Sequence, residues 1–160
     1  MAVVIADAGP LIALAKIGQL PLLPALFHQI TVTQAVADEC LCNLTRDGLL
    51  IRQALATAWV QCVANPEPKH KLSKSLGPGE QSSIELALQR SGKSLLILDD
   101  GLARKQALRM HLDIVGTAAV LFAGQRKGLL DNAEAAVTQL NQAGYRISAS
   151  VVAELKKGLP

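Results

Sequence analysis

Ser94 to Arg104 reads SLLILDDGLAR: an apolar run, two adjacent carboxylates, a glycine, then the start of a polar-faced helix. Leu95, Leu96, Ile97 and Leu98 form a short continuous apolar stretch, the pattern of a strand buried on both faces of a parallel sheet. Asp99 and Asp100 then fall at its C-terminal end, and in open α/β sheets that edge is where ligands bind. The same pattern occurs at the N-terminus, where Ala2 to Ala6 (AVVIA) runs into Asp7 and Ala8-Gly9-Pro10 leads into a helix. Two strands therefore end in aspartate. If the first and fourth strands lie side by side, as in a doubly wound sheet, Asp7, Asp99 and Asp100 meet at the switch point.

Outward from these stretches, strands and helices alternate. Further strands are expected at Ile30–Val32, Trp59–Val63 and Ile114–Val115. Helices are expected from Pro10 to Ile17 with Gly9 as N-cap and a stop at Gly18, as a short turn over Gln19–Phe27, and from Thr33 through QAVADECLCNL. Others run from Leu49 to Ala58, from Pro78 to about Arg90 with Gly92 as the C-cap, and from Asp100 to about Met110. The chain finishes with helices near Thr117–Gln125, Asn132–Ala143 and Ala149–Lys157. This alternation implies right-handed crossovers and a parallel sheet.

The 160 residues suit a single domain, with the helices from about 132 to 157 packed on it. Hydrophobic residues make up 50% and aromatics only 2%, so the core must be aliphatic. No stretch reads as a signal peptide or membrane span, and Cys40, Cys42 and Cys62 lack the spacing of a zinc knuckle or disulfide framework. A reduced cytoplasm is the expected location. The net charge of +3 permits a nucleic-acid partner without demanding one.

Each acid has a plain structural reading beside the chemical one. Asp7 and Asp100 lie at helix starts, where free backbone N–H groups favour carboxylates. Glu80 falls at the capping-box position after Gly77, yet shares a helix face with Ile84, Ala87 and Leu88, which turns it toward the sheet. Glu85 reads as solvated. In the helix after Thr33 the apolar stripe is Val36, Cys40 and Leu44, and Glu39 flanks it more closely than Asp38. Carboxylates gathered at one sheet edge repel one another, and hard oxygen ligands in that number suit Mg²⁺ or Mn²⁺. Two such ions about 4 Å apart can activate a water and stabilise the leaving oxygen of a phosphodiester. His28, His70 and His111 follow no metal-binding spacing. Arg104, Lys105 and Arg109, on the helix that begins at the paired aspartates, are candidates for nucleic-acid phosphate contact, with Lys69, Lys71 and Lys74 on the loop before Glu80.

The chain resembles the PIN-domain nucleases, in particular the branch resembling toxin ribonucleases of bacterial toxin–antitoxin pairs. The likeness rests on Asp7 with Pro10-Leu11-Ile12-Ala13-Leu14, Gly79-Glu80, Leu98-Asp99-Asp100 with Ala103-Arg104, and Val115-Gly116-Thr117. The resemblance implies a three-layer α/β/α domain whose five-stranded parallel sheet has the order 3-2-1-4-5, a Mg²⁺ or Mn²⁺ site, and cleavage of RNA phosphodiesters. Carried over by position, the family's catalytic acids are Asp7, Glu39, Glu80 and Asp100, with Asp7, Glu80, Asp99 and Asp100 as metal ligands. Partners implied are an RNA substrate, a small antitoxin protein and a second copy of the chain, with no membrane. Ala8 and Gly9 follow Asp7 where similar proteins carry Ser, Thr or Asn, and Gly101 stands where the branch tends to carry Arg. These departures keep open an alternative, a binding module for nucleic acid or protein with little or no catalysis.

Overall fold

Five strands of four residues or fewer, rich in Val, Ile and Leu, line up in parallel. In the computed structural model, which describes residues 2–42 and 45–157, they are β1 (Val3–Ala6), β2 (Ile30–Thr33), β3 (Val60–Val63), β4 (Ser94–Ile97) and β5 (Asp113–Val115). Their order is β3-β2-β1-β4-β5, as the resemblance implies. The register sets Ala6 beside Ile97, and the Asp7 N–H donates to the Ile97 carbonyl, 3.1 Å. Asp7 and the Asp99-Asp100 pair therefore leave the same edge of adjacent strands. Between β1 and β4 the winding direction reverses, which opens a crevice at the carboxyl ends of the strands.

Nine described helices clothe the sheet: α1 (Ala8–Lys16), α2 (Leu22–Phe27), α3 (Gln34–Leu41), α4 (Arg46–Leu55), α5 (Pro78–Gln89), α6 (Gly101–Arg109), α7 (Thr117–Arg126), α8 (Ala133–Gln142) and α9 (Ala149–Lys156). On one face Leu11, Leu14, Leu23, Ile51, Leu121, Phe122 and Leu140 form an apolar core. On the other, Ile5, Ile84, Leu96, Leu98, Ala103 and Ala107 pack beneath α5 and α6. Leu96, Ile97 and Leu98 are fully buried, so each contributes roughly 2 kcal/mol of hydrophobic stabilisation. That double-sided burial is why the run contains no polar alternation.

Several boundaries differ from the sequence expectation, each for a local reason. Asp7, not Gly9, occupies the N-cap of α1, which starts two residues early. Its side chain makes no capping bond, so that carboxylate is left for other work. The α3 helix ends at Leu41, short of the expected Leu44, which lies outside the described residues. Thr45 caps α4 by accepting from the Gly48 N–H, 3.1 Å, and this moves the helix start to Arg46; the helix ends at Leu55, with Ala56 as its C-cap. Arg90, in extended conformation, closes α5 without a left-handed turn at Gly92, which is not among the positive-φ glycines. Gly18, at φ 67°, does stop α1 in the way only glycine does cheaply.

Candidate active site

The crevice at the β1/β4 switch point is a cleft of about 400 Å³ whose lining includes Asp7, Glu39, Glu80, Asp99 and Asp100. Each acid arrives by a different local device. Asp7 follows β1 directly. Glu39 comes from the middle of α3, whose start is fixed by Thr33: its Oγ1 accepts from the Val36 N–H at 3.2 Å and bonds the Ser82 hydroxyl of α5 at 2.7 Å. Glu80 sits in the first turn of α5, with Oε2 accepting from the Gly77 N–H at 2.7 Å, so one of its oxygens serves the helix start. Gly79 makes the convergence possible. A Cβ there would lie 3.3 Å from Asp7 Oδ1, tight enough to crowd that carboxylate, and in ordinary contact with Glu39 Oε1 at 3.7 Å.

Asp7 is the electrostatic centre. It is 4% exposed, and its Oδ1 has no hydrogen-bond partner among the described residues. Burial, followed by the charges of Glu80, Glu39 and Asp99, pushes its carboxyl up to about 7 against the backbone bond from Ala8 that pulls the other way. Glu39 is raised too, by burial and then Glu80. Cys40, next to it, is pushed up to about 12, by burial first and then by Glu39 and Asp7, so this thiol is no nucleophile. Asp38 faces away and accepts from Gln34 Nε2 at 2.8 Å.

The paired aspartates divide their roles. Asp100 is exposed and caps α6, accepting the Ala103 N–H at 3.0 Å, which realises its plain structural reading at the cleft's rim. Asp99 turns inward. Its Oδ1 accepts from the Thr117 N–H at 2.8 Å, and its Oδ2 accepts from the Thr117 hydroxyl at 2.5 Å and from the Tyr145 hydroxyl. Burial and then the Asp99 charge push the Tyr145 hydroxyl upward, so it stays a donor. Gly9 leaves room for it: a Cβ at that position would stand 3.2 Å from Tyr145 Oη. Thr117 and Tyr145 are site residues that the sequence reading passed over. Val115-Gly116-Thr117 was a visible motif, but Tyr145 comes from a loop 46 residues beyond its partner.

Among the basic residues, Arg104 is half committed, because its Nη1 donates to the Leu98 carbonyl at 2.8 Å. Lys105 and Arg109 are exposed on α6. Lys71 and Lys74 line a different hollow, together with His70. Glu85, expected to be solvated, is 3% exposed. The segment before α5 folds over it, so that it accepts from the Lys69 and His70 N–H groups at 2.7 and 2.8 Å and pairs with His70 Nδ1 at 2.6 Å.

The unpartnered, buried Asp7 Oδ1 beside Glu39, the free oxygen of Glu80 and the strained ionisation of Asp7 fit a hard divalent ion. Among the described residues, no three acids form a tight coordination set by themselves.

A parallel sheet ordered 3-2-1-4-5, flanked by helices and with an acid-lined cleft at its switch point, defines a three-layer α/β domain. The chain belongs to the PIN-domain family, matching a family model described as a PIN domain over residues 3–159. Proteins of this family are generally nucleases, and the fold is nuclease-like. No curated protein and no solved structure matches the chain significantly. Among the described residues, no helix is long and apolar enough to cross a membrane.

Proposed function

We propose that the chain is a Mg²⁺- or Mn²⁺-dependent endoribonuclease. The observation that carries this reading is Asp7: a carboxylate buried at a strand end, one oxygen unpartnered, held partly protonated by burial and three neighbouring acids. Such a group is costly unless a cation completes it. Asp7, Glu80 and Asp99 would hold the ions, Glu39 would assist from α3, and Asp100 would act from the rim while it caps α6. When bound, the ions supply an activated water and a stabilised leaving oxygen. Thr117 and Tyr145 keep Asp99 oriented by three donated hydrogen bonds, so its carboxylate does not swing out of the cleft. Lys105, Arg109 and the remaining donors of Arg104 would grip phosphates along α6 without reading bases. On this reading the location is cytoplasmic, and a small antitoxin protein and a second copy of the chain are the partners.

A second reading is a weakly catalytic or inactive binding module. The lack of a tight three-acid set among the described residues and the absence of a hydroxyl at Ala8 favour it. Mn²⁺ titration with a thermal melt separates the two. The nuclease reading expects millimolar Mn²⁺ to raise the melting temperature of wild type and to have little effect on Asp7→Asn, whose metal-free form is as stable as wild type or more so at pH 8. Equal, small metal responses in both proteins would favour the binding module.

A further inference from the structure

The acidic cleft shares a wall with a larger hollow. This second cavity, about 570 Å³, lies between the edge strand β5, the start of α7 and α9, and both Asp99 and Arg146 line it as well as the cleft. Its walls are largely aliphatic, with Ile114, Ala119, Ile147 and Val151 among them. Two arginines line it: Arg146, which also lines the cleft, and Arg104, whose Nη1 lies beside Gly116 and Asp99. Glu154, on α9, is its other acidic wall besides Asp99.

That boundary is built rather than incidental. Arg104 is tied to the Leu98 carbonyl, and a Cβ on Gly116 would come within 2.8 Å of Asp99 Oδ1 and 3.2 Å of Arg104 Nη1. Glycine at 116 is what lets the carboxylate and the guanidinium converge where the two spaces meet.

We propose that this cavity receives the unpaired base of the nucleotide next to the scissile phosphate. The proposal rests on the nuclease reading of the acidic cleft. A volume of this size is ordinary for a small-molecule site, and an apolar slot lined by two arginines suits a base, which stacks on arginine as well as on aromatic rings. The chain places few aromatics anywhere, so aliphatic wall and arginine must do what aromatic stacking does elsewhere. The apolar wall alone would also accept a protein side chain. The wall shared with the cleft, formed by Asp99 and Arg146, instead makes the two spaces continuous, which suits a nucleic-acid strand running from one into the other with Arg104 and Arg146 near its phosphates. A paired base cannot enter the slot, so the substrate class is single-stranded RNA, with preference set by whatever base the slot admits.

Val151→Trp on the exposed face of α9 and Ala119→Leu on α7 fill the slot without touching an acid of the cleft. Binding of a short labelled single-stranded RNA is read by anisotropy in EDTA, Mn²⁺ affinity by calorimetry, and cleavage positions on a mixed-sequence RNA in Mn²⁺. Each filling should weaken RNA binding about ten-fold and alter the base found beside the cut, with Mn²⁺ affinity unchanged. Unchanged RNA affinity in both folded variants overturns the base slot and leaves a protein partner as the occupant. If no form cuts RNA, the nuclease reading falls, while the metal-free binding comparison still decides the slot.

Discussion

Replacing Glu85 with glutamine removes a charge that the fold has gone to some length to hold. Burial alone would raise this carboxyl, but hydrogen bonds from the Gln89 side chain, from the His70 backbone and ring, and from the Lys69 backbone outweigh it and hold it at about 2, against an ordinary 4.5. The side chain is 4% exposed, so solvent screens little of this. A folded value below the unfolded one means that the stabilisation is complete above pH 4.5 and is lost as the pH falls toward 2. The difference corresponds to about 3 kcal/mol. Glutamine keeps an acceptor for the Lys69 and His70 N–H groups but sets an amide N–H₂ or a neutral oxygen against the His70 ring. A loss of about 2–3 kcal/mol at pH 7 is expected, which lowers the melting temperature on the order of 5–10 °C for a domain of this size. Urea denaturation of wild type and Glu85→Gln at a series of pH values reads both magnitude and sign. The gap should be widest at neutral pH and narrow steadily below pH 4.5. A loss under about 0.5 kcal/mol at pH 7, or a gap that does not change with pH, would refute the argument.

Other substitutions probe the cleft and its surroundings. Glu80→Gln should weaken Mn²⁺ binding by at least about ten-fold, while Glu85→Gln, measured where it is folded, should leave it nearly unchanged; equal losses in calorimetry would remove Glu80 from the ligand set. Tyr145→Phe deletes one donor to Asp99 and should cost about 1–2 kcal/mol of stability at neutral pH, and a melt identical to wild type would mean that this hydroxyl is not engaged in solution. Lys105→Ala with Arg109→Ala should flatten the salt dependence of RNA binding by a slope of about one to two, whereas an unchanged slope would place the strand away from α6.

Much of the fold is local in origin, and for that reason legible. The unbroken apolar run at Leu95–Leu98 specifies a buried parallel strand, Pro78 after Gly77 specifies a helix start, and Thr33 caps α3 as its side-chain chemistry dictates. The strand order followed from a resemblance and agrees with the sheet. Positions that depend on chain segments meeting from afar were not legible. Glu85 looks solvated on a helical wheel because the wheel does not contain the Pro66–Leu76 segment that folds across it. Tyr145 reaches Asp99 only because α8 and its following loop return to the β4 edge, and no local pattern encodes that return. Sequence placed Asp100 at a helix start and the resemblance put it among the catalytic acids, but nothing local showed that Asp99 would be the inward-facing one. Their division into a cap and an inward-facing acid depends on Thr117 and Tyr145 capturing Asp99.

The central claim is that the acids around Asp7 cut RNA with a divalent ion. Incubation of single-stranded RNA with wild type and with Asp7→Asn, each in Mn²⁺ and in EDTA, tests it most directly. Wild type should give endonucleolytic products in Mn²⁺ alone, with cleavage by Asp7→Asn lower by at least about a thousand-fold. Cleavage by wild type in EDTA, equal cleavage by Asp7→Asn, or none from either protein in Mn²⁺ would contradict it.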